Sequence, residues 1–280
     1  MRLFVASVLA TMLAAPDGLR ISGASRSMQP GELVVLTIGG LERSDTVRVT
    51  AFGRDIAVYA ASDRERRALV GIDLDVKPGR YRVTIEVAGS RPRRATYDLV
   101  VRPRTFRTRR LTVDEAFVTP PASEEERIAR DARLLQSVWT SPAGDRRWTG
   151  PFLRPVPQEA NSAFGTRSIF NGKPRAPHGG ADFLSPPGAP VRAPNAGRIA
   201  IARNLYFTGN TVVIDHGVGL FSMLAHLSAI DVHEGEMVEA GRIVGTVGAT
   251  GRVTGPHLHW AVRAGGARVD PLALLALLGS

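Results

Sequence analysis

The sequence predicts a mainly β chain made of two strand-rich parts joined by a short helical linker. Three observations carry that expectation. Apolar and polar residues alternate between turn signals from Leu19 to about Arg104. One stripe at helical spacing follows, between residues 123 and 139. Short strand-like runs spaced by glycines then resume from about Asn161 to the end.

The first part is expected to be a β-sandwich of immunoglobulin-like type over residues 18–105. LVVLTIGG, TVRVTAFG, IAVYAAS, YRVTIEVAG and ATYDLVV read as its short strands, and Pro30-Gly31, Gly39-Gly40 and Pro78-Gly79 mark turns between them. No His, Asp or Glu cluster there indicates a site, so it reads as a packing or spacer module. Residues 106–154 read as the linker. The arginine run 102–110 (RPRTFRTRR) is expected to be a solvated strand edge or linker. A helix over about 123–139 follows, opened by a Ser123/Glu126 capping box with Glu124 and Glu125 at its positive end. Ile128, Ala132, Leu135 and Trp139 form its packing face. Pro142, Gly144, Pro151, Pro155 and Pro157 punctuate the rest. Residues 155–280 are expected to be the catalytic part, with strands at VVID, GLFSML, GRIVGTVG and HLHWAVR.

The N-terminus, MRLFVASVLATMLAAPDG, places Arg2 before about a dozen mostly apolar residues, the length of a signal-peptide core and too short to span a bilayer. Residues 1–15 are therefore expected to be an export signal, with Ala10, Ala14 and Ala15 offering cleavage positions, and no other stretch approaches membrane-spanning length. The expected location is the periplasm or cell envelope. The chain has no cysteine, which excludes disulfide scaffolds, thiolate zinc clusters and cysteine nucleophiles. Its net charge of +10 is carried by arginine, since Lys77 and Lys173 are the only lysines. Such a surface suits an anionic partner.

All six histidines lie in the last part. PHGGAD sets His178 and Asp182 at H-x-x-x-D, in a stretch whose Pro177 and paired glycines oppose a helix. GPHLHW sets His257 and His259 at H-x-H, so that on a strand both imidazoles point to one face. MLAHLS places His226 at the end of an apolar strand. Two imidazoles with a carboxylate are the ligand class of catalytic zinc, with the fourth tetrahedral position left to water. His178, Asp182 and His259 are the expected ligands of one Zn²⁺ per chain. His226 and His257 remain as the proton-transfer pair. His216 is expected to bond locally and His233 to be exposed.

HGGAD, GNTVVIDHGVGLFSMLAHLS and VGATGRVTGPHLHW, with AFGTR, FNGK and APNAGRIA in the same order, resemble the signature blocks of the lysostaphin/LytM-type zinc metallopeptidases over roughly residues 155–275. The resemblance implies an antiparallel-β peptidase domain that cleaves peptidoglycan stem peptides or cross-bridges. It carries the same residues: His178, Asp182 and His259 for the metal, His226 and His257 for catalysis, and Asn210 as a cleft residue. Leu224 departs from the tyrosine that many members hold in the His226 block. The strand-rich first half resembles the accessory β domain of exported members, and the order of the parts implies that this domain or the linker covers the cleft.

The chief rival is a relative without catalysis that activates a cell-wall amidase, but such relatives lack metal ligands and this chain lacks none. A regulatory protein partner is compatible with either reading. APNAGRIA and HEGEMVEAGRIVGTVG look like the hairpins of lipoyl carriers, yet neither lysine lies in such a turn. Nucleic acid is not expected as a partner, because no aromatic–basic platform accompanies the arginines.

Overall fold

The computed structural model describes residues 9–14, 18–112, 115, 118–141, 144–162 and 164–279. Residues 1–8 and Ala15 of the predicted export segment, the two residues after it, and Pro142 lie outside them. The chain is mainly β, as expected. Its first half runs β1 (Leu9–Ala14), β2 (Arg20–Ser25), β3 (Leu33–Gly39), β4 (Thr46–Ala51), β5 (Arg54–Ile56), β6 (Val58–Ser62), β7 (Glu65–Gly71), β8 (Gly79–Ala88) and β9 (Arg93–Val101). These form two antiparallel sheets, ordered β1-β2-β3-β7-β6 and β5-β4-β8-β9. Val83, Ile85 and Val87 of β8 and Ala95, Tyr97, Leu99 and Val101 of β9 meet Val34, Leu36 and Ile38 of β3 between the sheets. Strict alternation in β9 is what puts one face inside. IAVYAAS, read as one strand, breaks at Ala57: Ile56 ends β5 in one sheet and Val58 begins β6 in the other.

β3 is apolar without alternation because both of its faces are covered. Leu33 and Val35, with Leu69 and Tyr59, turn away from the sandwich into a second core built mostly from the C-terminal half. Gly71 on β7 makes that approach close, since a Cβ there would lie 2.7 Å from both Ala264 O and Ala267 Cβ.

The remaining elements are β10 (Thr108–Leu111), α1 (Glu125–Thr140), β11 (Ala160–Ser162), β12 (Arg167–Phe170), β13 (Lys173–Pro174), β14 (Gly180–Phe183), β15 (Pro190–Arg192), β16 (Gly197–Leu205), β17 (Gly209–Gly217), β18 (Leu220–Ile230), β19 (Met237–Val238), β20 (Ile243–Val247), β21 (Leu258–Ala264), β22 (Ala267–Val269) and α2 (Pro271–Leu278). The main sheet is ordered β11-β14-β21-β18-β17-β16-β19, with β15, β20 and β22 attached at its sides. No helix among the described residues is long and apolar enough to cross a membrane.

The middle segment departs from a loose linker. β10 pairs in parallel with β12 at the edge of a small sheet and is exposed throughout, so part of the arginine run is a solvated strand edge as expected, and Arg104 reaches Pro30 O and Glu32. A 3₁₀ turn, Ala122–Glu124, precedes α1. The extended residue that begins the turn is Pro121, and Ser123 lies inside it. The capping box is accordingly not formed, and Glu124 caps α1 without a side-chain bond. Leu134, Leu135, Val138 and Trp139 pack on Ile201, Val213 and Phe221, with the Trp139 and Phe221 rings edge to face at 5.2 Å. The half-buried stripe thus shares Leu135 and Trp139 with the expected one, while Leu134 and Val138 take the places of Ile128 and Ala132. Beyond α1, Trp148, Phe152 and Val156 are buried in the C-terminal core, and Trp148 meets Tyr59 edge to face at 5.3 Å.

Candidate metal centre

β14 and β21 pair antiparallel with Asp182 directly opposite His259, which places both side chains on one face. His178 comes from the turn just before β14. His259 Nδ1 lies 2.8 Å and His178 Nε2 2.9 Å from Asp182 Oδ1, and the two imidazole nitrogens are 3.0 Å apart. Gly180 makes room for this: a Cβ there would stand 2.3 Å from Trp260 O and 2.8 Å from the His259 ring. The sequence reading took the glycine pair only as an argument against a helix.

His257 precedes β21, and its Nε2 is 3.7 Å from Asp182 Oδ1 while its Nδ1 bonds Gly255 O at 2.9 Å. His226 stacks against it with ring centroids 4.9 Å apart. His226 has φ of 65°, in the left-handed region, where β18 bulges against β17 between the Asn210 and Val212 pairings. Such a bulge re-aims a side chain, and no pattern in the sequence announced it. Its ring Nδ1 bonds Thr250 O at 3.0 Å. Thr250, which sequence reasoning missed, also binds Leu227 O and the Asn210 N–H through its hydroxyl.

The electrostatics suit a cation. Burial raises the pKa of Asp182, but the hydrogen bonds from His178 and His259 outweigh it and hold the carboxyl well below the usual range. Burial chiefly lowers His259. Burial, and then the charges of His259 and His257, push His226 down to about 3. Ionised carboxylate and neutral imidazole are the forms that bind metal. The donor atoms of His178, Asp182 and His259 lie within 4.8 Å of one another, and this donor set fits zinc.

The cluster sits in a groove of about 790 Å³ whose walls include Arg109, Phe170, Arg175, Phe207 and Arg252. None of its lining residues comes from the sandwich, whereas the predicted linker contributes Arg109. Asn210 is not among the lining residues either. Its amide donates to Ser228 O, and its carbonyl accepts from Asn204. His216 is buried between Ala196 O and Ser222 Oγ, and His233 is exposed.

The sequence profile of Peptidase family M23 matches residues 176–271. A crystal structure of a putative peptidase M23 from Pseudomonas aeruginosa resembles this one with a TM-score of 0.69 and 30% identity, covering 89% of this chain and 96% of that one. The chain belongs to peptidase family M23. The peptidoglycan DD-endopeptidase ShyA of Vibrio cholerae is 43% identical over 97 residues, 35% of this chain and 23% of that protein. The DD-carboxypeptidase/endopeptidase Mpg of Neisseria meningitidis is 43% identical over 97 residues, 35% of this chain and 22% of that protein. The chain thus spans less than a quarter of the length of these curated relatives. The M23 block contains His178, Asp182, His226, His257 and His259, whereas Arg109 and Arg175 of the groove lie before it.

Proposed function

We propose that this chain is a zinc-dependent endopeptidase that hydrolyses peptide bonds of peptidoglycan stem peptides or cross-bridges, acting in the cell envelope. The observation that carries the reading is the convergence of His178 Nε2, Asp182 Oδ1 and His259 Nδ1 on the floor of an open groove. Those three residues would hold the ion, and residues 18–105 would serve as the accessory unit beside the peptidase part. When bound, zinc supplies Lewis-acid polarisation of water and of a peptide carbonyl.

The chain's own groups supply the proton chemistry. Thr250 O and Gly255 O each accept from an Nδ1–H, of His226 and His257 respectively, which fixes both rings as Nδ1-protonated tautomers. Each therefore presents a basic Nε2. One such nitrogen takes the proton of the attacking water, and the protonated ring afterwards gives it to the leaving amine. Once a ring has taken up that proton, its Nε2–H is also a donor for the carbonyl oxygen as it gains charge.

The rival reading is a regulator without catalysis; such relatives generally lack one or more metal ligands, and all three donors are present here. Mass spectrometry of products released from purified sacculi, with and without chelator, tests the proposal. New peptide ends that vanish with chelator are expected. Glycan cleavage alone, or release indifferent to chelator, would overturn it.

A further inference from the structure

Three arginines line the groove that holds the histidine cluster: Arg109, Arg175 and Arg252. Among the lining residues the only acid is Asp182, whose Oδ1 is already bonded by His178 and His259. Among the described residues of the wall, no second carboxylate balances this guanidinium charge.

Each arginine is held in place by its surroundings. Arg252 lies with its guanidinium carbon 4.9 Å from the centre of the Phe207 ring, and its backbone N–H donates to Phe207 O. Its Nη1 is buried and has no hydrogen-bond partner among the described residues. Arg175 donates through Nη1 to Val118 O, and its backbone N–H is tied to Ser168 O. Arg109 Nε donates to Ser168 Oγ at 2.9 Å, so the first and second arginines are anchored on the same residue of β12. Arg175 and Arg252 are close enough to repel one another, an effect that adds to burial in lowering the Arg252 pKa.

A buried guanidinium N–H without an acceptor is costly, as is the approach of two like charges. Both costs fall when an anion sits between them, and the forked donors of arginine match a carboxylate. We propose that Arg252 and Arg175, supported by Arg109, form a carboxylate-binding subsite beside the metal-binding residues. The peptide cleaved is then one that bears a free carboxylate near the scissile bond, as unamidated stem peptides do, and not a neutral oligoglycine bridge or an amidated stem. This assignment rests on the endopeptidase reading above and adds specificity to it.

The test uses two cross-linked muropeptide dimers that differ only in whether the stem carboxylates are free or amidated. The full chain is expected to favour the free-acid dimer in kcat/KM by about 10- to 100-fold, the range of one or two charge-assisted hydrogen bonds. In Arg252→Gln that ratio falls to within about threefold of unity, while Arg252→Lys recovers part of it. Arg175→Gln, at a separate position, lowers the ratio in the same direction. Metal content and thermal midpoint, measured on each variant, separate loss of recognition from loss of fold. Equal use of both dimers by the full chain would overturn the proposal, as would discrimination that survives in both glutamine variants. Should neither dimer be cleaved, the endopeptidase reading fails, and calorimetric binding of the same dimers decides the subsite by itself. Tighter binding of the free-acid dimer that is lost in Arg252→Gln supports it, and equal or unmeasurable affinity overturns it.

Discussion

Asp182 and His259 stand directly opposite one another on β14 and β21, with Asp182 Oδ1 2.8 Å from His259 Nδ1. Strand register alone makes this pair, because a slip of one residue would carry His259 to the other face of the sheet. His178 completes the cluster from the preceding turn.

The first prediction concerns metal. His259→Ala removes one of three converging donors and is expected to bring the zinc content of purified protein close to zero. His257→Ala, whose ring bonds Gly255 O, is expected to keep about the wild-type content. Elemental analysis of the two proteins checks both, and a zinc-loaded His259→Ala protein would refute the ligand assignment.

Hydrolysis should be lost even where metal is kept. With metal retained, His257→Ala and His226→Ala are each expected to lower the rate of peptide release from sacculi by about 10²–10⁴, the usual contribution of a positioned proton-transfer group. Release at the wild-type rate from either variant would remove that residue from its role.

The glycine pair provides a steric test. A methyl group at Gly179 meets nothing within 4 Å, whereas one at Gly180 meets Trp260 O at 2.3 Å and the His259 ring at 2.8 Å. Gly179→Ala is expected to be near neutral. Gly180→Ala is expected to cost about 1–3 kcal/mol and to weaken zinc binding. Denaturant unfolding and zinc titration of both proteins make the comparison.

His216 gives a pH dependence separate from the metal residues. Burial, only partly opposed by the hydrogen bond to Ala196 O, lowers its pKa from 6.5 to about 4. The native state thus keeps the ring neutral where the unfolded chain takes up a proton. Its contribution is complete above about pH 6.5, diminishes as the pH falls toward 4, and amounts to about 3 kcal/mol across that window. His216→Gln is expected to flatten the stability profile between those limits by about that amount. An unchanged slope would show that the ring is not held neutral.

The two halves are joined by charge as well as by packing. Arg26 bonds Glu32 at 2.6 Å and Asp270 at 2.8 Å, Arg104 adds to both, and Asp270 also caps α2 through the Leu272 N–H. Asp270→Ala removes the cap of α2 and one of the two acids that Arg26 and Arg104 share, Glu32 remaining, and is expected to cost about 1–3 kcal/mol. Unfolding should remain a single transition by fluorescence and circular dichroism. Two separated transitions in the wild-type protein would contradict such coupling.

Much of this was legible before any coordinates. The alternation of β8 and β9 marks them as half-buried strands, and the H-x-H spacing of His257 and His259 places both rings at one site. Other features depend on partners far along the chain. β2 (RISGAS) carries small residues that weaken its pattern, and β7 opens on Glu65, Arg66 and Arg67 before its apolar half, so neither announced itself. Proline and glycine made residues 142–157 read as a linker. Proline prevents a ladder hydrogen bond but does not prevent Trp148 and Phe152 from burying their rings. The bulge at His226, its restraint by Thr250 and the orphaned donor of Arg252 are all tertiary, and no local spacing encodes them.

β3 faces two interiors at once, with Leu36 and Ile38 on one side and Leu33 and Val35 on the other. The unit that folds is consequently larger than the unit that carries the histidines. Excising residues 155–280 to obtain a portable catalytic module would leave Trp148 and Phe152 behind and bare the surface that β3 covers. In this chain the M23 block shares its core with the sandwich, so a transplant is expected to need both.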